Sequence, residues 1–177
     1  MEEKKIIDEI KNGNFNRIKE IIEKYSPLGF RILLNFTGSK IEAEEILQDI
    51  WVKIYDKIIY IKEPDKFKYW FLKVIYNRIK NMKYPPKNED INENNLTIIY
   101  NQNEVLDKEI INKLDKIVRN LDIKYQMPIV LFYFENFDYN QISEVLEKNI
   151  NTVKSLIKRG KEIIRKKLEE EGIKWKD

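Results

Sequence analysis

Residues 141–168 read QISEVLEKNINTVKSLIKRGKEIIRKKL, and this stretch decides the fold. Asp138 just upstream is a good N-cap, and Tyr139, Ile142, Val145 and Leu146 follow at helical spacing. Only Glu147, Lys148 and Asn149 remain for a turn, and Asn149 is itself a good N-cap for a second helix from Ile150. On that second helix Ile150, Val153, Ile157, Ile164 and Leu168 share a seam, widened by Leu156 and Ile163. Lys154, Lys158, Lys161 and Arg165 fall on another face, and Asn151, Thr152 and Ser155 put hydrogen-bonding groups at its start. A short helix turned tightly into a longer basic one is a helix-turn-helix pattern. The second helix of such a pair fits a major groove, where short polar side chains approach base edges and lysines reach phosphates. Two other readings stand beside this one. An αα-hairpin with a solvated lysine face has the same spacing, and an amphipathic membrane helix would need aromatic anchors that are absent before Trp175.

Outward from this stretch the chain is helical in pattern. Ile6, Ile7 and Ile10 begin it, followed by Phe15, Ile18, Ile21, Ile22 and Tyr25, and then Leu28 to Phe36 closed by Thr37-Gly38-Ser39. A helix from about Ile41 to Ile58 carries Ala43, Ile46, Leu47, Ile50 and Ile54 on one face. Glu63-Pro64-Asp65 interrupts the pattern, with Asp65 a candidate cap for a helix from Lys66 to about Tyr84, where Pro85-Pro86 ends it. Residues 85–103, PPKNEDINENNLTIIYNQN, lack sustained periodicity and read as a linker. Helical pattern resumes at Glu104 with Val105, Leu106, Ile110, Leu114, Ile117, Val118 and Leu121, and again from Tyr125 to Phe134. The expectation is an all-α chain with two small helical domains, 1–84 and 104–177, joined by the linker 85–103.

Composition narrows the function. The chain has 177 residues, is 42% hydrophobic and 36% charged, and carries a net charge of only +3, so any basic site must come from the distribution of charge. Cysteine and histidine are both absent, which removes thiolate metal sites, cysteine nucleophiles and the commonest general base near neutral pH. The reading is of a non-enzyme with no cofactor and no metal. No apolar run approaches a membrane span of about 18 residues, and the N-terminal MEEKKIIDEIKNGN is not a signal sequence, so a cytoplasmic location is expected.

Further motifs carry a resemblance. AEEILQDIWVKIYDKI (43–58) and FKYWFLKVIYNRIKN (67–81) resemble regions 2.2 to 2.4 of bacterial sigma factors of the extracytoplasmic-function type. FNRIKEIIEKYSPLGFRILLNFTGS (15–39) is similar to their region 2.1, and LDIKYQMPIVLFYFENF (121–137) to the opening of region 4. In the helix-turn-helix stretch the matches to region 4.2 are Tyr139, Ile142, Leu146, Thr152, Val153, Lys154, Ser155, Ile157 and Arg159. Two motif blocks in order cover most of the chain, and the extra regions of housekeeping sigma factors have no room.

The resemblance implies a promoter-specificity subunit with core RNA polymerase and promoter DNA as partners. It implies that Glu45, Gln48 and Asp49, with Trp51 or Ile54 nearby, meet the coiled coil of the polymerase's largest subunit; grooves around Ile129, Val130 and Phe132 are candidates to receive its flap, the alternative reading being that most of these residues are domain core. Without the resemblance the acidic face of 41–52 is an ordinary solvated surface. From Lys66 to Tyr84 the chain has six basic residues and no acid, interleaved with aromatics, a mixture suited to holding one melted strand. Lys66, Phe67, Trp70, Lys73, Tyr76, Asn77 and Lys80 are the candidates for the −10 element, Trp70 being equally suited to a core role. The family places a flipped base against the loop before this helix, here about Ile58 to Phe67. Thr152, Lys154, Ser155, Lys158 and Arg159 are the candidates for the −35 duplex. Many relatives are held inactive by an anti-sigma protein, so such a partner is left open here, and no membrane insertion is expected. The departures are Leu156 in place of the family's arginine, Glu147 in place of the turn glycine, Asn151 and Gly160 in place of glycine and alanine, Asn81 in place of aspartate, and Met127-Pro128 in a shifted leucine-proline setting. The rivals are a helix-turn-helix repressor or activator acting alone and a helical interaction protein that binds no DNA.

Overall fold

The structure, a computed structural model, describes residues 2–82 and 108–173. The linker reading for 85–103 and the helical start at Glu104 fall outside these residues, whereas the helix expected to run to about Tyr84 ends at Lys80, with Asn81 as its C-cap. The chain divides into two compact units, Met1–Asn81 and Met82–Asp177, and every described element is helical.

The first unit is built from four helices. α1 (Glu2–Lys11) buries Ile6, Ile7 and Ile10. After a 3-10 turn at Phe15–Arg17, α2 (Ile18–Thr37) runs unbroken, carrying Pro27 within it rather than starting anew at Leu28. It stops at Gly38, whose φ of +69° is the left-handed cap that glycine reaches without strain and whose N–H donates to the Leu34 carbonyl at 2.9 Å. Ser39 then caps α3 (Lys40–Lys57) by accepting from the Glu42 N–H at 3.3 Å. Two 3-10 turns, Ile58–Tyr60 and Pro64–Lys66, lead into α4 (Phe67–Lys80). The cap expected from Asp65 is not made: proline at the start of the turn sets the chain's direction, and Asp65 stands exposed within it.

An aromatic cluster centres this unit. Trp51 stacks on Phe71 with centroids 4.9 Å apart, and Tyr25 lies 5.1 Å from Phe67. Gly29 lets α2 approach closely, since a Cβ there would lie 2.8 Å from Phe71 Cζ and 2.9 Å from Leu47 Cδ1. Burial pushes the Tyr25 hydroxyl up, and its hydrogen bond to Glu3 adds to that effect.

The second unit begins with α5 (Lys108–Arg119) and α6 (Ile123–Ile129), the latter capped by Asp122 accepting from the Lys124 N–H at 2.9 Å. α6 contains Pro128, which has no N–H to give, and the helix widens directly afterwards into a π-helical segment, Val130–Phe134. α7 (Tyr139–Leu146) starts with a full capping box between Asp138 and Gln141. α8 (Ile150–Glu170) packs on α5, α6 and α7 through Val153, Ile157, Gly160, Ile164 and Leu168. Ile150, read as part of this seam, is only half-buried. Gly160 sits where α8 presses on α6, because a Cβ there would come within 3.0 Å of Ile129 Cγ1.

Candidate nucleic-acid interface

The turn between α7 and α8 is held by the backbone. Glu147 takes φ +50°, and its N–H donates to the Ser143 carbonyl. The Lys148 N–H reaches the same carbonyl at 3.1 Å, while the Ser143 hydroxyl donates to the Lys148 carbonyl. Asn149 accepts from the Asn151 N–H at 2.8 Å and starts α8. The tight joint read from the sequence is thus present, with a side chain in the left-handed position usually given to glycine.

α8 brings its predicted site residues to one end. Thr152, Lys154, Ser155, Lys158 and Arg159 are all exposed on its first turns, while Val153 and Ile157 are buried. Asn151, Thr152, Ser155, Leu156 and Arg159 line an open depression there. The Ser155 hydroxyl donates to the Asn151 carbonyl at 2.8 Å, which leaves its oxygen to accept. Lys154 lies beside α7, its ammonium 5.5 Å from the Tyr139 ring, which is stacked on Phe132. Lys158 and Arg159 have no ion-pair partner among the described residues. Further along, Arg165 pairs with Glu169 at 3.0 Å and Lys166 with Glu170 at 3.9 Å, so positive charge available to phosphates gathers at the N-terminal half of the helix. Of the residues read either as a flap groove or as core, Ile129 and Val130 are buried in the core, and Phe132 is half-buried on Tyr139.

In the first unit α4 presents a mixed surface. Asn77, Lys80 and Lys66 are exposed, Lys73, Tyr76 and Trp70 are half-buried, and Lys66 pairs with Glu63 at 3.5 Å. Phe67 does not belong to this surface. It is fully buried between Tyr25, Trp70 and Phe71, because the first residue of α4 turns inward where the 3-10 turn delivers it.

On α3, Glu45, Gln48 and Asp49 are exposed. Trp51, assigned to the same contact, belongs to the core instead: 9% exposed, stacked on Phe71, with its indole N–H donating to the Ser26 hydroxyl at 3.0 Å. Ile54 is likewise buried. The apolar residues beside the acids are Val52 and Tyr55, 68% and 49% exposed. The signal for them is helical register, since Glu45, Gln48, Val52 and Tyr55 follow one another at steps of three and four. Arg78 of α4 reaches Asp49 at 3.5 Å, joining the acidic and basic helices. Among the described residues no cluster of three acids stands where a metal ion would be held.

Comparison with known families decides what these surfaces belong to. Residues 21–83 match the model of sigma-70 region 2, and residues 111–164 match that of sigma-70 region 4. The chain is 27% identical over 179 residues to the ECF RNA polymerase sigma factor SigW of Bacillus subtilis, covering 93% of this chain and 96% of that protein. It is 21% identical to the ECF RNA polymerase sigma-E factor of Haemophilus influenzae, covering 93% and 94% of the two chains.

The chain belongs to the extracytoplasmic-function sigma factors.

Solved structures agree in fold. CnrH in complex with the cytosolic domain of CnrY aligns with a TM-score of 0.70 at 13% identity, covering 95% of this chain and 97% of that one. The sigma factor RpoE in complex with the anti-sigma factor NepR from Bartonella quintana aligns with a TM-score of 0.63 at 16% identity, covering 86% and 96%. As a sigma factor, the protein binds core RNA polymerase and promoter DNA and directs promoter-specific initiation. Sigma factors are initiation factors without catalytic chemistry of their own. Among the described residues of this sigma factor no helix is long and apolar enough to cross a membrane.

Proposed function

We propose that this sigma factor divides its work between the two units, with residues 1–84 serving polymerase docking and −10 melting, 104–177 serving the −35 element, and 85–103 acting as the tether. Glu45, Gln48 and Asp49 offer carboxylates and an amide to a basic surface of the polymerase, flanked by Val52 and Tyr55 as apolar contacts. Lys73, Tyr76, Asn77 and Lys80, with Lys66 and Trp70 at the margin, hold one unpaired strand by phosphate attraction and base stacking. Thr152, Ser155 and Arg159 face base edges of the −35 duplex, with Lys154 and Lys158 on phosphates. The single observation that carries this reading is the gathering of Thr152, Lys154, Ser155, Lys158 and Arg159 on the exposed first turns of a helix whose opposite side is core. The protein would work in the cytoplasm and contribute no catalysis itself.

Reconstitution with core polymerase tests this division. Glu45→Lys should abolish holoenzyme formation. Tyr76→Ala should spare polymerase affinity and closed-complex binding while slowing promoter opening. Tight duplex binding without polymerase, together with no effect on transcription, would favour a repressor acting alone. Because RpoE is solved with an anti-sigma factor, an inhibitory partner covering the same surfaces belongs to this reading. A protein of that kind should compete with core polymerase for the wild-type chain.

A further inference from the structure

Among the described residues lining the open depression on the first turns of α8, Leu156 alone is apolar; the others are Asn151, Thr152, Ser155 and Arg159. Its place follows from helical register. The buried seam of α8 passes through Val153, Ile157 and Gly160, and Leu156 stands at its edge, three residues after Val153 and four before Gly160. Thr152, Leu156 and Arg159, at steps of four and three, form a strip along that edge. Leu156 is half-buried: part of its surface is covered, and the rest opens into the depression.

A partly covered leucine beside an apolar seam is ordinary in itself. This one is set apart by the company of its uncovered part, which shares the depression with side chains equipped to reach base edges. Arg159 has no ion-pair partner among the described residues, and Ser155 spends its proton on the Asn151 carbonyl, leaving its oxygen to accept. Leucine can neither hydrogen-bond a base nor hold a phosphate. What it can recognise on a major-groove edge is the apolar group there, the C5-methyl of thymine. Cytosine would bring an amino donor to the same wall, and leucine would leave that donor unpaired.

We propose that Leu156 selects thymine at one position of the −35 duplex by packing against its C5-methyl group. The inference rests on the reading of α8 as the −35 helix, and gives a role to a residue outside that reading. Thr152, Ser155 and Arg159 supply hydrogen bonds, Lys154 and Lys158 supply charge, and Leu156 supplies the apolar contact. Covering a methyl group displaces water and no counterions, so this selectivity should be insensitive to salt, unlike the lysine contacts.

The experiment uses holoenzyme reconstituted from the full chain. A promoter library randomised over the −35 positions, selected by the wild type, supplies the duplex. Each thymine of either strand is then replaced by deoxyuridine, which lacks only the C5-methyl, and the two dissociation constants are compared by competition. Wild type should bind about fourfold more weakly after replacement at one position, and the ratio should hold as salt is raised. Leu156→Ala should bind the two duplexes alike, whatever its overall affinity. Leu156→Gln, which keeps the length of the side chain without its apolar end, should do the same, and Leu156→Met should keep most of the ratio. Because each variant is compared with itself, a loss of folded protein cancels. A selected duplex without thymine, or one whose thymines all tolerate deoxyuridine, overturns the inference. So does a ratio that survives in Leu156→Ala or Leu156→Gln. A selection that enriches no −35 sequence while promoters are still opened overturns the −35 reading of α8, and the inference with it.

Discussion

Glu147 shows how a single residue is held against its own preference. An L-residue in the left-handed region costs roughly 1–2 kcal/mol, and three backbone and side-chain bonds around Ser143 and Lys148 keep it there. Glu147→Gly should therefore stabilise the second unit by about 1 kcal/mol, read as a higher urea midpoint, with no change in the DNA sequence bound. Asp115 and Arg119 pose the opposite case. Both side chains are almost wholly buried on α5, in ion-pair contact at 2.6 Å, and the guanidinium Nη1 and Nη2 have no hydrogen-bond partner among the described residues. Asp115→Ala should cost about 3–5 kcal/mol by leaving that cation alone, whereas an apolar replacement of both should be close to neutral. Burial raises the Asp115 carboxyl above its ordinary value, and Arg119 opposes the shift. The folded chain thus holds this proton more tightly than the unfolded one. The group's contribution is full below its ordinary value of 3.8 and is lost as pH rises through the raised one. Urea midpoints of the wild type should fall relative to Asp115→Asn as pH rises through that window. Neither residue's burial was legible in sequence, because a charged i,i+4 pair is usually a surface feature.

At the scale of the element, spacing was a good guide wherever one face alone is covered. The buried set of α8 follows from its apolar steps, and its caps at Asn149 and Gly172 are local chemistry. Gly172 at φ +77° closes the helix through the Ile173 N–H on the Leu168 carbonyl at 2.9 Å. Lys158→Ala should weaken duplex binding across all sequences and lower the salt slope by about one, measured on holoenzyme with a −35 duplex. Arg165→Ala should change that slope less, because Glu169 already holds its charge. Spacing misled where a helix is covered on several sides. Trp51 reads as a neighbour of Gln48 and Asp49, yet lies on the side of α3 that faces Phe71, and Val52 and Tyr55 take the outward place. Phe67→Ala should accordingly lower the thermal midpoint of the first unit by several degrees or prevent folding, rather than selectively slowing promoter opening.

At the scale of the whole molecule the two units have separate cores, so their failures should be separable. Gly29→Ala, whose Cβ would press on Phe71 and Leu47, should destabilise the first unit by about 1–3 kcal/mol. The second unit should then still unfold at its own midpoint in a two-step thermal melt. The sequence by itself determined the all-α class, most helix ends and the helix-turn-helix, because caps, turns and apolar period are interactions among near neighbours. It also determined the family, through two motif blocks in order. Only the tertiary structure decided which aromatics are core and which are exposed, and that α1 grips the Ile61 carbonyl through Lys11. Those outcomes depend on which faces neighbouring helices cover, and residues fifty positions apart meet only once the core between them has packed.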